Sequence, residues 1–231
     1  MAMRVLAIIT RIAMSIAAQT EFTCPSCGAV SKAQTRGSVN AQTDPSAKTA
    51  ILKGTYFNYR CAACGNEIRL IYNCLYIDPD LRQVICLIAD GSNDAENIPH
   101  MKNGGSILRI VRSVNDLREK LLIFDAALDD RIVEIAKGTA LSQLPADSFV
   151  SEIHFEVIGG LRVLVLIHRD EQNENHGEDE INYVTDFPRL YDELARKYAS
   201  SLPTLRNDTF QCVDVDYAAE FLQNLSGEEN R

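Results

Sequence analysis

The 231 residues are 46% apolar and 24% charged with a formal net charge of −9, an ordinary soluble composition in a chain long enough to bury a real core. The charge is uneven: residues 20–76 carry six basic against three acidic side chains, whereas residues 77–231 carry 15 against 29. So acidic a surface repels phosphate backbones and argues against a general nucleic-acid role for the larger part.

In chain order, the start is apolar but broken by Arg11, and Ile16 spoils the small-residue cleavage pattern before Ala17-Ala18. We read residues 1–19 as a disordered or non-native extension, with Met14 a plausible natural start and a secretory signal as the alternative. The run is too short to span a bilayer. A short strand over residues 20–23 then leads into Cys24-Pro25-Ser26-Cys27-Gly28. A polar stretch with a weak strand at residues 38–41 follows. Next comes a helix of about nine residues: Asp44 suits the N-cap, Pro45 the first turn, Lys53 the C-terminal dipole and Gly54 the C′ position. Tyr56, Phe57 and Tyr59 make an aromatic strand into the second knuckle, Cys61-Ala62-Ala63-Cys64-Gly65.

Two Cys-x-x-Cys pairs supply four thiolates, the donor set of a closed tetrahedral Zn²⁺ site. Cys24, Cys27, Cys61 and Cys64 are therefore the expected metal ligands. The glycine after each pair can adopt the positive φ a tight knuckle needs. A closed site leaves no position for substrate, so this zinc holds structure and does no chemistry. A redox dithiol, or a thiol switch working by zinc release, is the rival reading. The run Glu21-Phe22-Thr23-Cys24-Pro25-Ser26-Cys27-Gly28, the helix from Asp44-Pro45 to Gly54 and the repeat Cys61 to Gly65 resemble the CpXC-domain family of prokaryotes over roughly residues 19–128. That resemblance implies the metal frame and no particular reaction. Ala62-Ala63 stand where a proline is expected, which leaves the ligands intact.

Beyond the knuckles, residues 67–77 and 83–89 read as strands joined by Asp78-Pro79-Asp80; a register whose paired numbers sum to 160 sets Cys74 opposite Cys86, and a slip of one puts them on opposite faces. We read these two as buried reduced thiols. With Cys212 they form an odd remainder, which fits a reducing, cytoplasmic setting. A polar loop over 91–106 holds His100. After a strand at 107–112, Ser113 caps a helix whose stripe is Val114, Leu117, Leu121, Phe124 and Leu128. Ile132, Val133 and Ile135 imply a second helix, or a bent continuation, stopped by Gly138. Strands at 151–158 and 161–168 flank the hairpin turn Gly159-Gly160. An acidic loop, a strand at 181–185, helices near 188–200 and 217–225 and a short strand near 210–213 complete the chain. The fold class is α+β: an expanded zinc ribbon (20–76), strands with a long helical region (77–145) and a C-terminal α+β region (146–231).

Candidates for chemistry outside the knuckles are few. The register around Gly159-Gly160 sets His154 opposite Val165 and beside Glu156, while His168 points to the other face. Asp125, Asp129 and Asp130 could share a cation, but a helix junction beside Arg131 explains them more simply. Glu178-Asp179-Glu180 lacks calcium-loop spacing. No nucleophile elbow, Walker loop, His-Glu-x-x-His or dinucleotide fingerprint occurs. The leading expectation is a zinc-stabilised protein-interaction module. The alternatives are an enzyme using His154 and Glu156 or the carboxylates at 125–130, and a redox sensor.

Overall fold

The computed structural model describes residues 17–89, 105–145, 148–168, 180–204 and 209–229. The expectations on residues 1–16, His100, Glu178 and Asp179 lie outside the described residues. Among those described are five helices and twelve strands, and the protein is α+β. The chain forms two compact units. One runs to Arg118 and is completed by Thr204–Cys212; the other comprises Glu119–Pro203 and Val213–Arg231.

In the first unit, β1 (Ala17–Thr23) pairs antiparallel with β2 (Val30–Arg36) around the first knuckle. β4 (Asn58–Arg60) pairs with β5 (Glu67–Arg69) around the second. β2 went unnoticed in the sequence because its inward residues, Ala33 and Thr35, barely contrast with the polar ones between them. Helix α1 (Pro45–Leu52) has the predicted ends: the Asp44 carboxylate accepts from the Ala47 amide at 3.1 Å, and Gly54 takes φ 70°.

β3 (Ser38–Asn40), β6 (Cys74–Asp78), β7 (Gln83–Leu87), β8 (Ile107–Val111) and β12 (Gln211–Cys212) form a five-stranded mixed sheet in the order β12-β8-β7-β6-β3. β6, β7 and β8 are buried along their whole length. One face carries Leu75, Ile77, Val84, Cys86, Leu108 and Ile110, with Phe210 packed against them. The other carries Tyr76, Asp78, Gln83, Ile85 and Arg109. The β6–β7 register is the slipped one of the two alternatives, and both thiols are buried. Cys74 lies opposite Leu87 and Cys86 opposite Leu75, which puts the two cysteines on opposite faces. The cause is the turn. Asp78 pairs with Gln83, leaving a four-residue loop in which Arg82 takes φ 53°, so the register slips by one.

Helix α2 (Val114–Asp125) begins in a reciprocal cap: the Asp116 amide donates to Ser113 Oγ at 3.0 Å, and the Ser113 amide to Asp116 Oδ2 at 2.9 Å. It ends where Ala127 takes φ 55°, and the Asp129 carboxylate caps α3 (Asp130–Ser142) through the Arg131 amide. Gly138 does not stop α3. A mid-helix glycine costs only about 1 kcal/mol relative to alanine, and the burial of Ile132, Val133, Ile135, Ala136 and Ala140 outweighs that.

In the second unit β9 (Glu152–Ile158), β10 (Leu161–His168) and β11 (Glu180–Val184) make an antiparallel sheet in the order β11-β10-β9. Gly159 and Gly160, at φ 59° and 85°, form the expected hairpin turn. The core joins Phe155 of β9 to Phe187 of α4 (Phe187–Tyr198), with ring centroids 5.2 Å apart. Tyr198 meets Phe221 of α5 (Val215–Glu229) at 5.8 Å.

Candidate metal centre

Each knuckle closes the same way. The Gly28 amide donates to Cys24 O and the Gly65 amide to Cys61 O, both at 2.9 Å; the Cys24 amide donates to Ala29 O and the Cys61 amide to Asn66 O. Gly28 and Gly65 take φ 72° and 76°, left-handed values that strain any residue with a Cβ. The two hairpins are joined by the Tyr59 hydroxyl, which donates to Gln34 O at 2.5 Å, and by the Phe22–Tyr59 ring contact at 6.5 Å.

This geometry brings all four predicted cysteines together, with every Sγ within 4.8 Å of the others. The Cys24–Cys64 and Cys27–Cys61 sulfurs are 3.7 and 3.8 Å apart. A tetrahedron with metal–sulfur bonds of about 2.3 Å has an edge of about 3.8 Å, so the donor set fits a four-thiolate ion. The first cysteine of each pair is buried and the second exposed. Without a cation four adjacent thiolates repel one another. The Cys64 and Ala63 amides draw Cys61 down to about 6, helped by the neighbouring thiols. The Ala29 amide also favours the Cys27 thiolate, but Cys64, partial desolvation and the other sulfurs overcome it and push Cys27 up to about 12.

The other sequence candidates do not converge. Asp129 is taken up by Arg131 at 2.6 and 2.9 Å, whereas the fully buried Asp130 faces Lys120 at 3.3 Å. His154 lies opposite Val165 as expected, 3.7 Å from Glu156. Among the described residues, the four cysteines are the sole group of three or more His, Cys, Asp or Glu side chains close enough to hold a metal. Burial pushes Cys74 up to about 12, the state of an inert thiol.

Sequence reasoning missed a buried ionic cluster in the second unit. Lys120 contacts Glu134 at 2.9 Å as well as Asp130, and Lys137 contacts Glu119 at 2.7 Å and Glu134 at 3.1 Å. The Glu119 carboxylate also accepts from the Phe155 amide at 2.5 Å, which covers a donor on the outer edge of β9. The available signal was Lys120 falling inside the Leu117, Leu121, Phe124 stripe.

Fold and site together define an α+β protein with a zinc-ribbon-like part built on four cysteines. The model of one family, described as CpXC protein, matches residues 22–137, half of the chain. The chain belongs to the CpXC family. No curated protein and no solved structure matches it.

Proposed function

We propose that Cys24, Cys27, Cys61 and Cys64 bind one structural Zn²⁺ and that the protein is a cytoplasmic interaction module with no chemistry at the metal. The observation that carries this reading is the pair of sulfur separations of 3.7 and 3.8 Å, the edge length a zinc tetrathiolate requires. Four protein ligands fill the coordination sphere, so the ion's work is to hold the ribbon, residues 20–76. A protein partner fits the rest of the chain better than a nucleic acid. Its charge is strongly acidic, and Ile158, Leu161, Ile181 and Tyr183 share one face of the β9–β11 sheet with their side chains exposed. Elemental analysis of purified tag-free protein tests the metal: one zinc per chain, lost in Cys24→Ser, is the expected result. Less than stoichiometric zinc with four titratable thiols would overturn it.

A second reading draws on the exposure of Cys27 and Cys64. In a zinc-release switch, two thiolates give two electrons to peroxide, its O–O bond breaks to two hydroxides, a disulfide forms and Zn²⁺ leaves. Zinc release by mild peroxide, reversed by thiol and added zinc, would establish it; retention of zinc would remove it.

A further inference from the structure

Gln83 stands at the start of β7, on the sheet face that carries Asp78 and Ile107 as its cross-strand neighbours. It is 1% exposed, and among the described residues neither its Oε1 nor its Nε2 has a hydrogen-bond partner. A buried carboxamide forfeits its hydration without recovering it, which folded proteins rarely tolerate unless water or a ligand takes the place of the missing partner.

The neighbour that should serve it is already full. Asp78 Oδ1 accepts from the Asp80 and Leu81 amides, both at 3.2 Å, and Oδ2 accepts from the Tyr76 hydroxyl and the Lys48 ammonium, also at 3.2 Å. A carboxylate offers about four acceptor positions, so Gln83 Nε2 is left to find another acceptor. We propose that Gln83 anchors an internal binding site for a small neutral guest that both donates and accepts hydrogen bonds, an ordered water molecule, beneath the β6–β7 turn.

The chemistry selects that class. A metal ion would satisfy Oε1 alone, and the Lys48 ammonium already neutralises the adjacent carboxylate. An anion would satisfy Nε2 alone and would stand against Asp78. Water serves both ends of the carboxamide and needs only two to four polar partners. The site is built of α1, β6 and β7 side chains and includes none of the cysteines.

The test is a crystal structure of the zinc-loaded full chain at about 1.5 Å, with thermal unfolding of Gln83→Met beside it. The expected density is one water within about 3.2 Å of Oε1 or Nε2, with a Tm for Gln83→Met that is unchanged or lowered by about 2–4 °C. The methionine fills the same volume and leaves no amide behind. Density showing no water at the carboxamide, or a Tm for Gln83→Met raised by several degrees because an unpaired amide has been removed, would overturn the proposal.

Discussion

In the buried cluster Glu119, Asp130 and Glu134 face Lys120 and Lys137. Burial raises the Glu119 pKa above its ordinary 4.5, and Lys137 pulls it back only in part. The sign of the consequence follows from linkage: a carboxyl that is more basic in the folded state contributes stability fully present below about pH 4.5 and lost as pH rises through its folded value. Glu119→Gln keeps an acceptor for the Phe155 amide and fixes the neutral state. Urea unfolding between pH 5 and 7 should therefore show a midpoint at pH 7 no lower than that of the wild-type chain, with a flatter pH dependence. A large loss of stability at pH 7 would show that the ionised form of Glu119 carries the cluster. Lys120 is the opposite case. Burial works against its charge, but Glu134, Asp130 and Glu119 outweigh that and hold it protonated. Lys120→Met removes the cation facing two buried carboxylates, a change that costs about 3–5 kcal/mol, and the same urea titration should register it at pH 7.

At the scale of the element, the ends of helices were the most legible feature, because a cap is a local chemical event. Asp44, Pro45 and Gly54 set α1, and Ser113 with Asp116 sets α2. Ser113→Ala should cost about 1 kcal/mol and lower Tm by about 2–4 °C; an unchanged Tm would show that Asp116 alone holds the first turn. The knuckles and the Gly159-Gly160 hairpin were legible for the same reason, since left-handed backbone at a fixed spacing leaves glycine as its mark. What depends on packing was not legible. Gly138 is a stop signal in isolation and is overridden by the apolar residues around it. The Cys74–Cys86 register turned on one residue of loop length, which Asp78-Pro79-Asp80 alone does not specify. Glu119, Glu134 and Lys137 carry no sequence mark of burial, because α2 and α3 supply counter-charges to each other, Lys120 to Glu134 and Glu119 to Lys137, and that packing is written in neither helix alone.

At the scale of the whole molecule, all four ligands belong to the first unit, while the second has its own buried core in Phe155, Leu164 and Phe187. Metal affinity and the folding of the segment that binds the metal are one free energy, on the order of 10–16 kcal/mol for small zinc domains. That energy organises the hairpins β1–β2 and β4–β5, whose buried strand residues are the small Ala33 and Thr35, so little apolar burial remains to hold them once the ion is gone. Chelation should therefore act on the ribbon alone. Hydrogen exchange read by mass spectrometry, before and after treatment with a strong chelator, should show lost protection in peptides covering 20–36 and 58–69. Peptides from α3 and β10 should keep theirs, because Ile132, Val133, Val163 and Leu164 are buried by side chains that the metal does not position. Cys61→Ser should reproduce the chelated pattern without chelator, which separates loss of the ion from any effect of the reagent. If α3 and β10 lost protection together with the ribbon, the two units would be one cooperative fold and the metal would stabilise all of it.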